Sequence, residues 1–585
     1  MFTRLKNRVL TSIVPDIPSI APSPSYSIGR PLPDKFQYQR PPFLQLLTPD
    51  ELKASADHNV RPIIVPRDVA IMPFSCGYAE CVNSGKSEWN EDQAAFSMHV
   101  LHHPSKDLPD LPYVYFGIFD GHAGYGAALA ASLQFHHILH EKLVDIIELL
   151  LPTNVNESPP MFPLMFHKTV SKDELIIGAL ESSFYDMDAV LAEDRTKYRN
   201  AGGCTSVVTL FILGKMYVAN AGDSRAILTQ RLSKEMIKMQ NDKPYPNGTK
   251  CDSDDYQVIA TPFSFDHTPD TERGRILSLG KVHPDLMGGE YIAMEYAKKP
   301  MTKDLGTRIL YKQGNMKGWT YKTLTKEDLK MPIVTGEGKR SRLLGTIGVT
   351  RGFGDHDLRA LGSGLLIKPF LSCHPEIVYR DLSLIISLPD DNNIDGEYGI
   401  LIMGTDGLWD VLENETVARI TFETLKKYPN EKHRYTMVAQ ELVAKSRGRA
   451  NDSGHWRLSD LKAPATVDDI SVIVIPVYQY YKEFCEWEKK FFEAQQRREA
   501  LRTSNNNKNS NNNDKQQAMP TATATTNGNV SLNNIVENID DDEDEDDEVE
   551  EAKEENSEVS DEIDKALEKL NLNDGNSEEP TESTA

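Results

Sequence analysis

From Tyr113 to Phe119 the chain alternates and then saturates with aromatic and branched residues before stopping at Asp120-Gly121. That is the pattern of a buried strand ending on a carboxylate. Behind it, Ala127 to Leu150 carries apolar residues at helical spacing, so Asp120 and His122 are placed on a strand-to-helix turn. The same punctuation recurs downstream. Thr205 to Leu213 and Met216 to Ala221 are apolar runs joined by Gly214-Lys215, which predicts a hairpin and therefore an antiparallel sheet, and the second run stops at Gly222-Asp223. Gly399 to Gly404 leads into Asp406-Gly407, with a helix following near Asn414 to Lys426, and a last strand, Ile470 to Pro476, begins behind Asp468-Asp469. Asp266-His267-Thr268-Pro269 supplies an aspartate or threonine cap for a short helix at Glu272 to Ile276. From Gly280 to Leu343 the periodicity fades and Lys, Arg and Tyr accumulate, which fits a lid or recognition insert better than a plain connection.

The ends read differently. Residues 1–14 hold Phe2, Leu5, Val9 and Ile13 on one helical face with Arg4, Lys6 and Arg8 elsewhere, and no acid occurs before Asp16. This is the composition of a basic amphipathic helix at a membrane surface; a mitochondrial import segment or a helix docked on the domain are the other readings. Residues 15–65, rich in Pro and Ser at first, are expected to form an extended linker, residues 66–478 the globular domain with an insert at 280–343, and residues 479–502 an amphipathic C-terminal helix whose Phe and Trp pack back on it. Residues 503–585 contain 24 acidic and 5 basic residues, a net of −19, which leaves only −5 of the total −24 for the rest of the chain. The tail is therefore expected to be disordered, and the nearly balanced body has no basic nucleic-acid footprint. Six scattered cysteines without a CxxC pair argue against a disulfide frame or a zinc site and for a reducing, cytoplasmic setting.

Glu91, Asp92, Asp120, Asp223, Asp406 and Asp468 all stand at or beside the ends of strand-like runs. An Asp-Gly pair after a strand is by itself most often a turn. Its repetition, with no cysteine or histidine ligand set alongside, points to hard oxygen-only ligation of magnesium or manganese by a cluster of carboxylates that needs cations between them. Two such ions are a device for attacking a phosphate.

Taken in order, Glu91-Asp92, Asp120-Gly121-His122-Ala123-Gly124, Gly203 to Thr205, Gly222-Asp223-Ser224-Arg225, Asp266-His267-Thr268-Pro269, Gly354-Asp355, Asp406-Gly407-Leu408-Trp409-Asp410 and Asp468-Asp469 resemble the motifs of the metal-dependent serine/threonine phosphatases of the protein phosphatase 2C (PPM) family. The resemblance covers about residues 70 to 476, and Gly85 to Gln93, Gly336 to Lys339 and Thr346 to Gly352 resemble its H/J/M subgroup. It implies an α+β fold, a central sandwich of two antiparallel β-sheets flanked by α-helices, with 280–343 as a long flap. It also implies that Asp120 bridges two Mg2+ or Mn2+ ions, that the Gly121 carbonyl ligates one of them and Asp406 and Asp468 the other, that Glu91 and Asp92 hold metal-bound waters, and that Asp223 serves a weaker third ion. A metal-activated water would attack phosphorus without a phospho-enzyme, and His122 would protonate the leaving seryl or threonyl oxygen; Asp355 and Asp410 would give hydrogen-bonding support. The family commonly places an arginine four residues before the Glu, where this chain has Ser87, so Lys86 is the nearest substitute for binding the substrate phosphate. The implied partners are phosphorylated proteins, in this subgroup Rab GTPases on internal membranes, with peripheral membrane contact through residues 1–14. The alternative is a catalytically weak scaffold or pseudophosphatase that binds partners through its N-terminal helix and acidic tail.

Overall fold

The computed structural model describes residues 37–151, 170–193, 202–233, 249–250, 256–313, 316–384, 399–458 and 463–516. The amphipathic segment 1–14, most of the acidic tail and part of the polar loop near residue 245 lie outside the described residues. The chain separates into residues 1–507 and 508–585, and of the second unit only the helical backbone to residue 516 is described.

The strands that build the core are β1 (Ile63–Ile64), β2 (Gly77–Cys81), β3 (Gln93–Leu101), β4 (Leu111–Phe119), β5 (Ser206–Ile212), β6 (Lys215–Ala221), β7 (Arg225–Ser233), β8 (Thr249–Lys250), β9 (Tyr256–Pro262), β10 (Glu376–Asp381), β11 (Ile400–Gly404) and β12 (Ile470–Pro476). The helices are α1 (Pro49–Ser55), α2 (Gly126–Leu150), α3 (Lys172–Glu193), α4 (Arg273–Val282), α5 (Asp406–Trp409), α6 (Asn414–Lys427), α7 (Arg434–Arg447) and α8 (Val477–Gln516). One sheet runs β1-β2-β12-β11-β7-β9-β8 and the other β10-β6-β5-β4-β3, every neighbouring pair antiparallel. The predicted hairpin is β5–β6, turning at Leu213-Gly214, both with positive φ.

Period-two alternation sorts the side chains into layers. Phe116 and Ile118 of β4 meet Met403, Ile473 and Ile475 between the sheets, while Tyr113, Tyr115 and Phe119 of the same strand face Phe135, Leu139 and Phe184 of α2 and α3. On the opposite surface Val472 and Val474 of β12 receive Val417, Leu442 and Val443 of α6 and α7. Each such fully buried side chain contributes about 1.5–3 kcal/mol. The result is the α+β sandwich expected.

Three expectations are corrected. Residues 37–65 are not a free tether: Phe43 and Leu44 enter the inter-sheet core, α1 carries a Thr48–Glu51 capping box, and β1 pairs with β2. The early Pro and Ser mask apolar anchors that make contacts distant in sequence. The C-terminal helix continues to Gln516, since no Gly or Pro interrupts residues 477–516. Its Trp487 and Phe491 join the α2–α3 cluster, as expected, and Trp487 Nε1 donates to the Asp110 carbonyl at 2.7 Å. Finally, α4 starts at Arg273 behind Glu272, which provides no side-chain cap. Thr271 Oγ1 donates instead to the Asp266 carbonyl at 2.7 Å, which closes the turn before the helix.

The insert shares a core with its flanks, Tyr291, Ile333 and Leu343 packing with Ile276 of α4 and with Phe370, beside a three-stranded antiparallel sheet of Met294–Tyr296, Arg308–Gln313 and Thr320–Thr323. Strands this short leave little periodicity to read.

Candidate active site

The acidic residues singled out in the sequence collect at one end of the sandwich. Asp120 follows the last residue of β4, Asp223 lies between β6 and β7, Asp406 opens α5 behind β11, and Asp468 stands two residues before β12. Glu91 and Asp92 immediately precede β3. Asp120, Asp223, Asp406 and Asp468 are half-buried, and Asp92 is buried. Burial pushes the Asp120 carboxyl well above the usual carboxylate range, and Asp406, Asp92, Asp468 and Asp223 push it further. Asp406 is raised by burial and then by Asp223, Asp468 and Asp410, and Asp223 is pushed up to about 7 by burial and then by Asp266. These mutual effects mean that the carboxylates share one electrostatic environment. Among the described residues, no three acidic, histidine or cysteine groups already form a closed ligand set.

The loops that carry them are tied by hydrogen bonds. Asn83 Oδ1 accepts the backbone N–H groups of Gly85, Lys86 and Ser87 at 2.9, 2.7 and 3.2 Å. Asp469, buried beside Asp468, accepts the N–H groups of Asn83 at 2.7 Å and Glu91 at 3.1 Å. It thus links the Glu91-Asp92 loop to the head of β12. Asp92 Oδ2 accepts from Thr405 Oγ1 at 3.0 Å, whereas Asp92 Oδ1 is buried with no hydrogen-bond partner. The Asp266-His267 motif secures Asp223: Arg225 forks onto the Asp266 carboxylate at 2.9 and 2.7 Å, and the Gly222 N–H donates to His267 Nδ1 at 3.2 Å.

His122 Nε2 lies 2.7 Å from Asp355 Oδ2. Burial alone would lower the imidazole, but the hydrogen bond and charge of Asp355, with Asp223 and Glu91 behind it, outweigh that and raise it above its ordinary value. Gly203 makes room for the pair: a Cβ there would stand 2.2 Å from Asp355 Oδ2 and 2.6 Å from His122 Nε2. Asp355 itself has φ +55°, a conformation aspartate tolerates better than most residues. The sequence offers Gly203 and Gly354-Asp355 separately; nothing local announces that His122, 233 residues away, is the partner.

Two residues differ from expectation in their surroundings. The Lys86 side chain is exposed, and its ammonium pairs with Asp468 Oδ2 at the edge of the carboxylates. Ser87 Oγ donates to the Trp89 carbonyl at 2.7 Å and accepts from Asn83 Nδ2 at 2.9 Å, so it shapes the loop. Asp410 accepts from Lys339 Nζ through both its carbonyl, at 2.8 Å, and its carboxylate, at 2.9 Å. Lys339 belongs to the insert, so the insert reaches the edge of the acidic cluster.

A two-sheet sandwich with carboxylate-bearing loops gathered at one end and a histidine held by an aspartate is an arrangement suited to metal-dependent phosphoester hydrolysis. Residues 83–283 and 332–453 match the family described as Protein phosphatase 2C. The chain belongs to that family and is a metal-dependent protein serine/threonine phosphatase. It is 37% identical to Protein phosphatase 1H of Xenopus tropicalis, with 82% of this chain and 99% of the relative covered. It is also 40% identical to Protein phosphatase 1J of Mus musculus, with 75% and 86% covered. A crystal structure of serine-threonine phosphatase 2C from Toxoplasma gondii is 15% identical, with 71% of this chain and 99% of that one covered and a TM-score of 0.36.

Proposed function

We propose that the acidic end of the sandwich binds Mg2+ or Mn2+ through Asp120, the Gly121 carbonyl, Asp406 and Asp468, with Glu91, Asp92 and Asp223 in supporting places, and hydrolyses phosphoserine and phosphothreonine in proteins. The observation that carries this is the crowding of half-buried Asp120 and Asp406 with buried Asp92, each raised by its surroundings and neighbours, together with a buried Asp92 oxygen that lacks a hydrogen-bond donor. Carboxylates crowded in this way are relieved by a divalent cation, and an all-oxygen donor set fits magnesium or manganese. When bound, the ions supply an activated water and charge neutralisation at the phosphoryl group.

The chain's own residues do the rest. His122, whose protonated form Asp355 favours, donates its proton to the seryl or threonyl oxygen as that group leaves, so no phosphorylated side chain is required. Lys86, the ammonium nearest the carboxylates, is available to meet the substrate phosphate once cations take over the neutralisation of Asp468. The ordered insert, touching Asp410 through Lys339, stands where it can meet the protein that carries the phosphate. The subgroup resemblance points to phosphorylated Rab GTPases as that protein. Residues 1–14 would then bring the cytoplasmic enzyme to the same membranes.

The test is phosphate release from a phosphothreonine protein with Mn2+, with Mg2+ and with EDTA, for wild type, Asp120→Ala and His122→Ala. Metal-dependent turnover that Asp120→Ala abolishes supports the reading. Turnover that persists in EDTA, or survives Asp120→Ala, refutes it. Phosphorylated Rab proteins offered beside an unrelated phosphothreonine protein test the substrate, and vesicle flotation with and without residues 1–14 tests the membrane contact.

A further inference from the structure

Residues 38–61 precede the stretch that matches the family, which begins at residue 83. Two arginines in this segment are buried to an unusual degree: Arg40 is 5% exposed and Arg61 is fully enclosed. Such side chains seldom enter an interior without carrying out a definite pairing.

Their partners lie on the loops of the catalytic end. Arg40 forks onto the buried Glu80 carboxylate at 2.8 and 2.6 Å. Its third nitrogen donates to the carbonyls of Asn90 at 3.1 Å and Asp92 at 2.6 Å, the residues on either side of Glu91. Tyr38 reinforces the grip, its hydroxyl donating to the Asn90 carbonyl at 3.3 Å and its ring lying 4.6 Å from that of Trp89. Among the described residues Arg61 makes no carboxylate pair. Its three nitrogens donate to the carbonyls of Val82 at 2.7 Å, Thr466 at 2.8 Å and Asp468 at 2.8 Å. One guanidinium, 407 residues from Asp468 in the chain, therefore joins the start of the Glu91-Asp92 loop to the backbone of Asp468. A planar fork of donors fixes direction as well as distance, which a lysine ammonium does not.

We infer that residues 38–61 are a built-in strap of the metal site, in which Arg40 and Arg61 are positioning residues that hold the Glu91-Asp92 loop and the Asp468 backbone at the spacing divalent cations require. This rests on the assignment of those carboxylates as ligands. Both side chains are enclosed, so neither arginine opens onto the cleft itself. Their effect is on the geometry of the ligands, and ligand-orienting contacts of this kind typically govern metal affinity by about 10- to 100-fold.

The experiment uses the full chain, stripped of metal, as wild type, Arg61→Lys, Arg61→Gln, Arg40→Lys and Tyr38→Phe. Mn2+ binding is measured directly by the electron paramagnetic resonance signal of the free ion, and the Mn2+ concentration for half-maximal turnover is measured in parallel with the melting temperature. The strap predicts that Arg61→Gln weakens Mn2+ binding at least tenfold and raises the half-activating concentration to match, with a smaller effect on the rate at saturating Mn2+. Arg61→Lys and Arg40→Lys should fall between it and wild type, and Tyr38→Phe, which loses one long hydrogen bond, should fold normally and shift binding about twofold in the same direction. Unchanged Mn2+ affinity in folded arginine variants overturns the inference while leaving the metal site standing. If the arginine variants do not fold, unchanged affinity in Tyr38→Phe overturns it alone. Wild type that binds no Mn2+ overturns the assignment of the ligands, and the strap with it.

Discussion

Replacing Asp355 by Asn is the sharpest perturbation of the chemistry, because it changes charge and almost nothing else. Asparagine has the same shape, accepts φ +55° as readily as aspartate, and brings no atom closer to Gly203, whose missing Cβ already defines the tightest contact at the pair. What disappears is the negative end of a 2.7 Å charge-assisted bond to His122. Bonds of this type contribute about 1.5–3 kcal/mol, and the imidazole's 30% side-chain exposure places this one toward the lower part of that range. At about 1.4 kcal/mol per factor of ten, the protonated form loses about 10- to 40-fold in its favour. The raised value of His122 falls, so the basic limb of the rate profile moves to lower pH and the loss is greatest above neutrality. The stability linked to this pair follows the same sign. It is fully present below the ordinary histidine value and is lost as pH rises through the raised one, so Asp355→Asn should destabilise most at low pH. Turnover of a phosphothreonine protein at saturating Mn2+ from pH 5.5 to 9, with melting temperatures at each pH, reads both effects. An unmoved basic limb would show that Asp355 does not control the proton on His122. A loss equal at every pH together with a lower melting temperature would make its role structural.

Three further outcomes follow from geometry given above. Gly203→Ala pushes a Cβ into the same pair and should reproduce the shifted pH profile, with a larger loss of rate; a wild-type profile would mean the pair tolerates separation. His136 stacks with His99 and abuts His137, and burial followed by these neighbours pushes it down to about 3. The unfolded chain therefore takes up the proton first as pH falls below about 6.5, and wild type should lose about 2 kcal/mol at pH 5 relative to His136→Gln in urea melts; parallel pH slopes would contradict this. Trp487→Ala removes a buried ring and its bond to the Asp110 carbonyl, and should lower stability by about 3 kcal/mol while leaving Mn2+ binding intact, so an unchanged denaturation midpoint would deny that α8 belongs to the domain.

The sequence was most legible where a regular element stops. Runs ending at Asp120, Asp223 and Asp406 showed strand termini because two-residue periodicity ends abruptly at a polar residue followed by glycine or preceded by it. The sandwich and the grouping of these acids follow from antiparallel pairing, which returns alternate strand ends to the same side. Contacts decided by tertiary packing were not visible. Asp355 beside His122 and Asp469 beneath Asn83 join residues hundreds apart and depend on side-chain direction. The strap was misread for a related reason: its proline-rich beginning resembles a linker, and a buried arginine looks in the sequence like any surface one. Lys86 was found as a charge near the site, but its resting partner, Asp468, could be read only from the fold.

The position of β12 has a consequence for the birth of the protein. This last strand is inserted in mid-sheet between β2 and β11, so that Tyr78 and Ser471, hydrogen-bond partners at 3.4 Å, are separated by 393 residues. At ordinary rates of translation β2 waits about 20 to 80 s for its neighbour. During that time its inner edge, and that of β11 once made, stand open to strand pairing with other chains. The nascent protein therefore cannot assemble its catalytic end ahead of time, and any activity must appear all at once, after the strand that follows Asp468 has left the ribosome.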